Sequence, residues 1–384
     1  MKRIYLDNAA TSWPKPDTVF HAIDAYQRRS GAPAGRGAYQ EAIDVQRTIE
    51  QTRLAIAQLI SVEKAQQIIF AYSGTDALHL AIGDWLQKGD HVITTVCDHN
   101  STLRPLSHLQ RARGIDLTHL GVDSDGVISI DDFTSSIRDD TRLVAMVHAS
   151  NVTGAIQPLE AVGQICRQRG IPFLVDAAQT IGHCAVSVKE LHCDLLAAPG
   201  HKGMLGPLGT AFLYLSKTMS ERLTPVRMGG TGSQSELDEQ PDRMPDKFES
   251  GNLNVPGIVG LQQGLEFIRQ RGLASISKHE QRLTQRLRTG LQHLSGVHLY
   301  GADVDRSVGV TSLNIDGHDP QELATLLDTM ASIQTRAGFH CAPRMHTALK
   351  TDQLGGTLRI SCSPFTTESE IDMTVQTIQA LISS

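Results

Sequence analysis

An α/β fold with a mostly parallel sheet, joined to a smaller α+β unit, is what the sequence predicts, and three observations predict it. Short apolar runs alternate with amphipathic stretches from residue 66 to 215, the rhythm of βαβ units with right-handed crossovers. At 384 residues with 40% apolar content, the chain can bury enough core for one large and one smaller domain. Beyond Pro256 the alternation gives way to two long helical stretches and a few isolated strands. The expected division is 15–256 for the large domain, with 1–14 and 257–384 forming the small one.

The elements follow in order. After YLDNAAT at 5–11, Pro14 and Pro16 stand just before a helix predicted to run to about Arg29, where SGAPAGRG breaks it. That break is expected to loop over a site, and it carries Arg36 between two glycines. Apolar residues at Ile43, Val45, Ile49, Leu54, Ile56 and Leu59 are spaced for an amphipathic helix across 38–61. A strand at 68–71 turns through Tyr72, Ser73, Gly74 and Thr75 into a helix starting near Asp76. Such a turn favours an anion, because unpaired N–H groups and the helix dipole both attract phosphate. Plain N-capping by Ser73 or Thr75, worth about 1 kcal/mol, explains the same residues.

The strand at 91–96 ends in Cys97, Asp98 and His99, and strands near 115–120 and 142–148 follow, the second delivering His148, Ser150 and Asn151. An apolar run through Phe173, Leu174 and Val175 ends at Asp176, followed by Ala177, Ala178 and Gln179. A further run, DLLAAPGHKGMLGP at 194–207, sets His201 and Lys202 against a glycine-rich turn. Glycine lets backbone approach a ligand closely, and a strand that delivers an acid to the sheet edge is where α/β enzymes place ligand contacts. Taken singly, Lys202 reads as a solvated loop lysine and Asp176 as a helix cap. Together they match the needs of pyridoxal phosphate: an amine for its aldehyde and a carboxylate facing its ring nitrogen.

Past Leu215 the chain loosens into RMGGTGSQSELDEQPDRMPDKFESGNLN, whose composition reads as flexible loop. Helices are expected at 256–270, 273–295, 320–330 and 367–382, with strands near 297–300 and 308–315.

A net charge of −6 without a long basic run gives no electrostatic reason to expect nucleic acid or an anionic membrane as partner. The N-terminal residues lack the apolar core of a signal peptide, and no run approaches the roughly 20 apolar residues of a membrane span, so the expected location is the cytoplasm. Six cysteines without a C-x-x-C pair suggest reduced thiols rather than disulfides or structural zinc. Three of them directly follow histidine, at positions 184, 193 and 341, but adjacent residues on a strand face opposite sides, so no metal is expected.

The blocks YLDNAAT (5–11), SGTDA (73–77), DHNS (98–101), SNVTG (150–154), VDAAQ (175–179), GHKG (200–203) and RAGFHCA (336–342) stand in one order. Together they resemble the cysteine desulfurases of the class V aminotransferase superfamily over essentially the whole chain. The resemblance implies a fold-type I pyridoxal phosphate-dependent transferase with a seven-stranded sheet, working as a homodimer on pyridoxal 5'-phosphate. It puts the cofactor phosphate at Gly74 and Thr75, His99 against the pyridine ring as a stacking and proton-passing group, and Asp176 at the ring nitrogen. It gives Asn151 to the phenolic oxygen or the substrate carboxylate, counts Gln179, His201 and Lys202 among the cofactor contacts, and sets Arg36 at the site's mouth.

Two residues depart from the family pattern. Asn252 stands where relatives usually carry a threonine given to the second subunit's phosphate site. Pro199 stands where relatives often carry a hydroxyl residue, and proline has no donor to offer, so somewhat weaker cofactor retention is expected.

Eighteen residues separate Cys341 from Arg359. An arginine near a strand end can hold a carboxylate through two parallel hydrogen bonds, a geometry lysine cannot match, which would fix the amino acid substrate. Cys341 as a thiolate could take the sulfur of bound L-cysteine as a persulfide and leave L-alanine, and His340 beside it offers a charge to lower its pKa. For Cys166 and Cys362 the reading is a buried apolar side chain. The short span from Arg336 to Cys341 resembles the group-II branch, which includes enzymes acting on L-selenocysteine.

The expected function is a cysteine desulfurase that passes its persulfide to an acceptor protein or reductant. A selenocysteine lyase, an aminotransferase, a kynurenine- or epimerase-type enzyme, and a poorly active cofactor-binding sulfur relay remain as alternatives.

Overall fold

The computed structural model describes residues 3–35, 37–83 and 85–383. Its main sheet has seven strands in the spatial order Ile68–Ala71, Ala211–Leu215, Leu195–Pro199, Phe173–Asp176, Thr141–Val147, His91–Thr95 and Asp116–Leu120. Only Ala211–Leu215 runs antiparallel to its neighbours, so the sheet is mostly parallel. The central strands are buried along their whole length, as continuous apolar runs covered by helices on both faces must be. Alternation assigns the faces. Val175 and Leu196 enter one core with Ile56, Met146 and Leu261, while Leu174 and Leu195 enter the other with Leu78, Leu106 and Phe248.

Helices Gly74–Ile82, Asn100–Arg113 and Leu159–Arg169 connect the parallel strands, so the strands' C-terminal ends gather at one edge. Ser73 caps the first of these, its Oγ accepting from the Asp76 N–H at 3.1 Å. That places the helix start at Gly74, two residues ahead of the expected position.

A second, antiparallel sheet orders Arg336–Gly338, Thr357–Ser361, Val310–Ile315 and Val297–Tyr300. Helices Leu273–Leu291, Pro320–Ala331 and Glu368–Ile382 cover it, with Leu287, Leu313, Leu327, Leu358 and Ile378 in the core between. Ile4 and Leu6 join this core, and Ile4–Tyr5 pairs in parallel with Ile333–Gln334. Helix Val255–Arg271 instead sends Ile258, Leu261 and Leu265 into the core of the first sheet.

The stretch 216–254 holds one short helix, Lys217–Arg222, and otherwise turns and bends, as its composition suggests. It is nonetheless pinned. Arg53 grips Glu249 through two hydrogen bonds of 2.7 and 2.9 Å, and the Phe70 N–H donates to the same carboxylate at 2.6 Å. Among the described residues no helix is long and apolar enough to cross a membrane.

Candidate active site

The turn that carries Lys202 leaves the strand Leu195–Pro199 and folds on itself, with the Gly206 N–H donating to the Gly200 carbonyl at 2.8 Å and the Leu205 N–H to that of Lys202 at 2.9 Å. A side chain at Gly203 would put Cβ 2.2 Å from the carbonyl oxygen of Ile181, so this close backbone approach requires glycine. The turn aims Lys202 into a cavity of about 220 Å³ that Asp176, His99 and Cys341 also line.

Lys202 is half-buried at the cavity lining. Burial pulls it down to about 8, Arg359 and Arg336 push the same way, and Asp176 opposes them. Among the described residues Lys202 Nζ has no hydrogen-bond partner or ion pair. Asp176 ends its strand in a buried position, where desolvation raises its pKa while the Ala178 N–H, donating at 3.0 Å, and Lys202 act against this.

His99 is pushed down to about 4, first by burial and then by Lys202, so its ring is neutral. Its Nδ1 accepts from the Ser101 N–H at 3.0 Å, which fixes the tautomer with the proton on Nε2. Gly74 and Thr75 open the helix at the cavity's other end, and Thr75 Oγ1 pairs with Ser101 Oγ at 2.7 Å. Pro199 lies against this turn: a Cβ on Gly74 would meet its ring at 3.3 Å. Gln179 is buried in the wall, with Nε2 donating to the Ala9 carbonyl at 3.1 Å. His201 lines the same cavity, pushed down to about 4 by burial and the neighbouring lysines, with a buried Nδ1 that has no partner.

Arg359 and Asn151 close the far wall. The Arg359 guanidinium is buried, donating from Nη1 to the Asn151 carbonyl at 3.1 Å and from Nη2 to Asp7 Oδ1 at 2.7 Å, while Nε has no partner. Asn151 Nδ2 donates to the His340 carbonyl at 2.5 Å and its Oδ1 is left unpartnered.

Cys341 is exposed, and it lines both the inner cavity and an outer groove of about 580 Å³ along the helices Gly74–Ile82 and Asn100–Arg113. His340 and Cys341 both have left-handed backbone, φ 47° and 60°, an arrangement that clusters at functional sites. The loop is tied down by the Asn100 N–H, which donates to the Cys341 carbonyl at 2.7 Å.

His340 does not supply the charge expected of it. Burial and then Arg359 push it down to about 2, and its Nε2 is spent on the Thr357 carbonyl at 3.0 Å. Lys202 and Arg359 line the same cavity as Cys341.

The cavity thus brings together Gly74, Thr75, His99, Asn151, Asp176, Gln179, His201, Lys202, Cys341 and Arg359. Asn252 is not part of it: its side chain is exposed, and its carbonyl accepts from the Tyr72 hydroxyl at 3.1 Å. Arg36 lies outside the described residues. Asp7, Ser101 and Arg336 were not singled out for the site by sequence reasoning, although each lies inside one of the ordered blocks. Only their position in YLDNAAT, DHNS and RAGFHCA could have marked them.

The donor set fits pyridoxal phosphate: an unpartnered desolvated amine, a buried acid, a helix-start turn and orphaned polar atoms on His201, Asn151 and Arg359. Among the described residues no group of three or more histidine, cysteine or acidic side chains could hold a metal ion.

The sequence profile of the aminotransferase class-V family matches residues 4–374. A probable cysteine desulfurase of Methanothermobacter thermautotrophicus is 34% identical over 382 residues, covering 98% of this chain and 94% of that protein. One from Pyrococcus abyssi is 34% identical over 392 residues, covering 99% and 94%. Among solved structures, the apo cysteine desulfurase of Thermococcus onnurineus superposes with a TM-score of 0.93 at 32% identity, covering 99% of this chain and 95% of that one. The cysteine desulfurase CsdA of Escherichia coli gives 0.88 at 26% identity, covering 99% and 94%.

Proposed function

The chain belongs to the aminotransferase class-V family, and on that premise we propose that it is a pyridoxal phosphate-dependent cysteine desulfurase. The observation that carries the reading is the single cavity shared by Lys202, Asp176 and Cys341. An amine and an acid alone would suit any member of the family. A thiol in the same cavity selects sulfur chemistry.

Lys202 would hold the cofactor, with Asp176 facing its ring nitrogen, the Gly74–Thr75 turn and His201 its phosphate, and His99 its ring. When bound, pyridoxal phosphate supplies an electron-accepting ring that weakens the bonds to Cα of an attached amino acid. Arg359 and Asn151 orient the substrate carboxylate. Lys202, with its ammonium lowered to about 8, removes and returns the Cα proton near neutral pH. Asp176 keeps negative charge opposite the ring nitrogen, and neutral His99 offers Nε2–H as a proton donor.

Cys341 Sγ attacks the substrate sulfur. An S–S bond forms as the C–S bond breaks, its electron pair stays on the substrate carbon, and protonation there gives L-alanine while Cys341 carries the persulfide. The outer groove, which Cys341 lines and Lys202 does not, gives an acceptor thiol access to that persulfide. Exposed Asn252 fits a residue offered to the phosphate turn of a second copy.

Incubation with L-cysteine tests the reading through the alanine and sulfide released. Cys341→Ala should lower both by at least about 100-fold while the bound-cofactor absorbance persists. Full activity in that variant would overturn the proposal.

A further inference from the structure

Lys15 is a partly buried lysine that pairs with no acid among the described residues. Its Nζ donates to the Ser12 carbonyl at 3.1 Å, to Ser12 Oγ at 2.9 Å and to the His201 carbonyl at 3.4 Å. Burial alone pulls its ammonium down to about 8, and no carboxylate offsets this. A desolvated cation held only by neutral oxygens costs stability, so its position needs another account.

The His201 carbonyl supplies one. It draws the Ser12 N–H at 2.9 Å, Thr11 Oγ1 at 3.2 Å and Ser12 Oγ at 3.1 Å as well as the ammonium. Four donors from residues 11–15 converge on the one peptide oxygen that directly precedes Lys202. On its other side the turn rests against the Ile181–Gly182 backbone, where a Cβ at Gly182 would meet the Gly203 carbonyl oxygen at 2.2 Å. Lys202 is therefore held on both sides in the chain: the carbonyl before it is gripped by residues 11–15, with Lys15 and Ser12 among them, and the glycine after it packs against the Ile181–Gly182 backbone.

We propose that Lys15 is a positioning residue for Lys202: with Ser12 it fixes the His201 carbonyl and so sets the direction in which the next residue's amine enters the cavity. The proposal rests on the reading that Lys202 carries the cofactor. Lys15 does not line the cavity, so its action runs through the His201 peptide rather than through any contact with ligand.

The test uses Lys15→Met, Lys202→Ala and the double variant, each as full-length protein supplied with pyridoxal phosphate. Borohydride trapping of the cofactor on Lys202, followed by peptide mass spectrometry, reads the delivery of the amine, and alanine formation reads turnover. Lys15→Met should bind pyridoxal phosphate to the normal level, yet trap it and turn over about tenfold more slowly, with KM within about twofold. In Lys202→Ala supplied with methylamine as a free base, adding Lys15→Met should change nothing, because no tethered amine remains to be aimed.

Equal trapping in Lys15→Met, or the same loss persisting in the methylamine-supplied background, would overturn the proposal. Should Lys15→Met not fold, Ser12→Ala removes the hydroxyl between ammonium and carbonyl; it should show a smaller loss with the same pattern, and unaltered trapping there would overturn the proposal equally. Absence of trapping in the unaltered protein would overturn the cofactor reading itself, and this proposal with it.

Discussion

Arg359, which lines the cavity, and Asp7, 352 residues away in the chain, meet at 2.7 Å. The pair neutralises a buried guanidinium and leaves Arg359 Nε as its unpartnered donor. Asp7→Asn keeps the shape but removes the charge, so the guanidinium should lose orientation. The expected result is a stability loss of about 1–3 kcal/mol in urea titration. KM for L-cysteine should rise more than kcat falls.

The Lys202 ammonium is lowered to about 8, below its ordinary 10.5. Without cofactor, the rate at which added pyridoxal phosphate is trapped should rise with pH and level off above that value, falling about tenfold per pH unit below it. The same shift has a stability sign. The folded value lies below the unfolded one, so folding penalises the charged form; the penalty is complete below about 8 and fades as pH rises toward 10.5. Lys202→Met should therefore be inactive, yet more stable as apoprotein by about 1–2 kcal/mol at neutral pH.

Gly203→Ala should be costly for a backbone reason. The added methyl would lie 2.2 Å from the Ile181 carbonyl oxygen, which cannot step aside as a side chain would. A loss of about 1–3 kcal/mol is expected in a denaturant titration, with a parallel loss of bound-cofactor absorbance as the Lys202 turn shifts.

Arg53 and Glu249 form a buried pair, each 7% exposed at its side chain. Arg53→Ala leaves a buried carboxylate whose remaining partner among the described residues is the Phe70 N–H, and should cost about 3–5 kcal/mol. Arg53→Lys keeps the charge without the fork and should lose about 1–2 kcal/mol. Faster proteolysis within 223–254 is expected in both, because this pair ties that stretch to the sheet.

What could be read from sequence was whatever repeats locally. Continuous apolar runs announced the parallel strands, and spaced apolar residues announced helices such as Gln40–Leu59 and Pro320–Ala331. Strands of two or three residues, Ile333–Gln334 and Arg336–Gly338, are too short to carry a period. The ordered blocks located Lys202, Asp176, His99 and Cys341, but blocks say nothing about charge state. His340 seemed suited to activating its neighbour, and its burial beside Arg359 makes it neutral instead. The Asp7–Arg359 contact and the donors gathered on the His201 carbonyl depend on the tertiary fold, so no local pattern could reveal them.

The long-range backbone partners of residues 4–8 lie at 332 and beyond: the Ile4 N–H donates to the Ser332 carbonyl at 3.0 Å, the Ser361 N–H to the Leu6 carbonyl at 2.8 Å, and Asn8 Nδ2 to the Ser361 carbonyl at 2.9 Å. That segment therefore docks only once residues more than 300 positions further along have folded. Until then Ile4 and Leu6 lack Ile333, Leu358 and Ile360, part of the core they join. The cavity that Arg359 lines is thus completed by a contact between distant parts of the chain, since its guanidinium is held by Asp7.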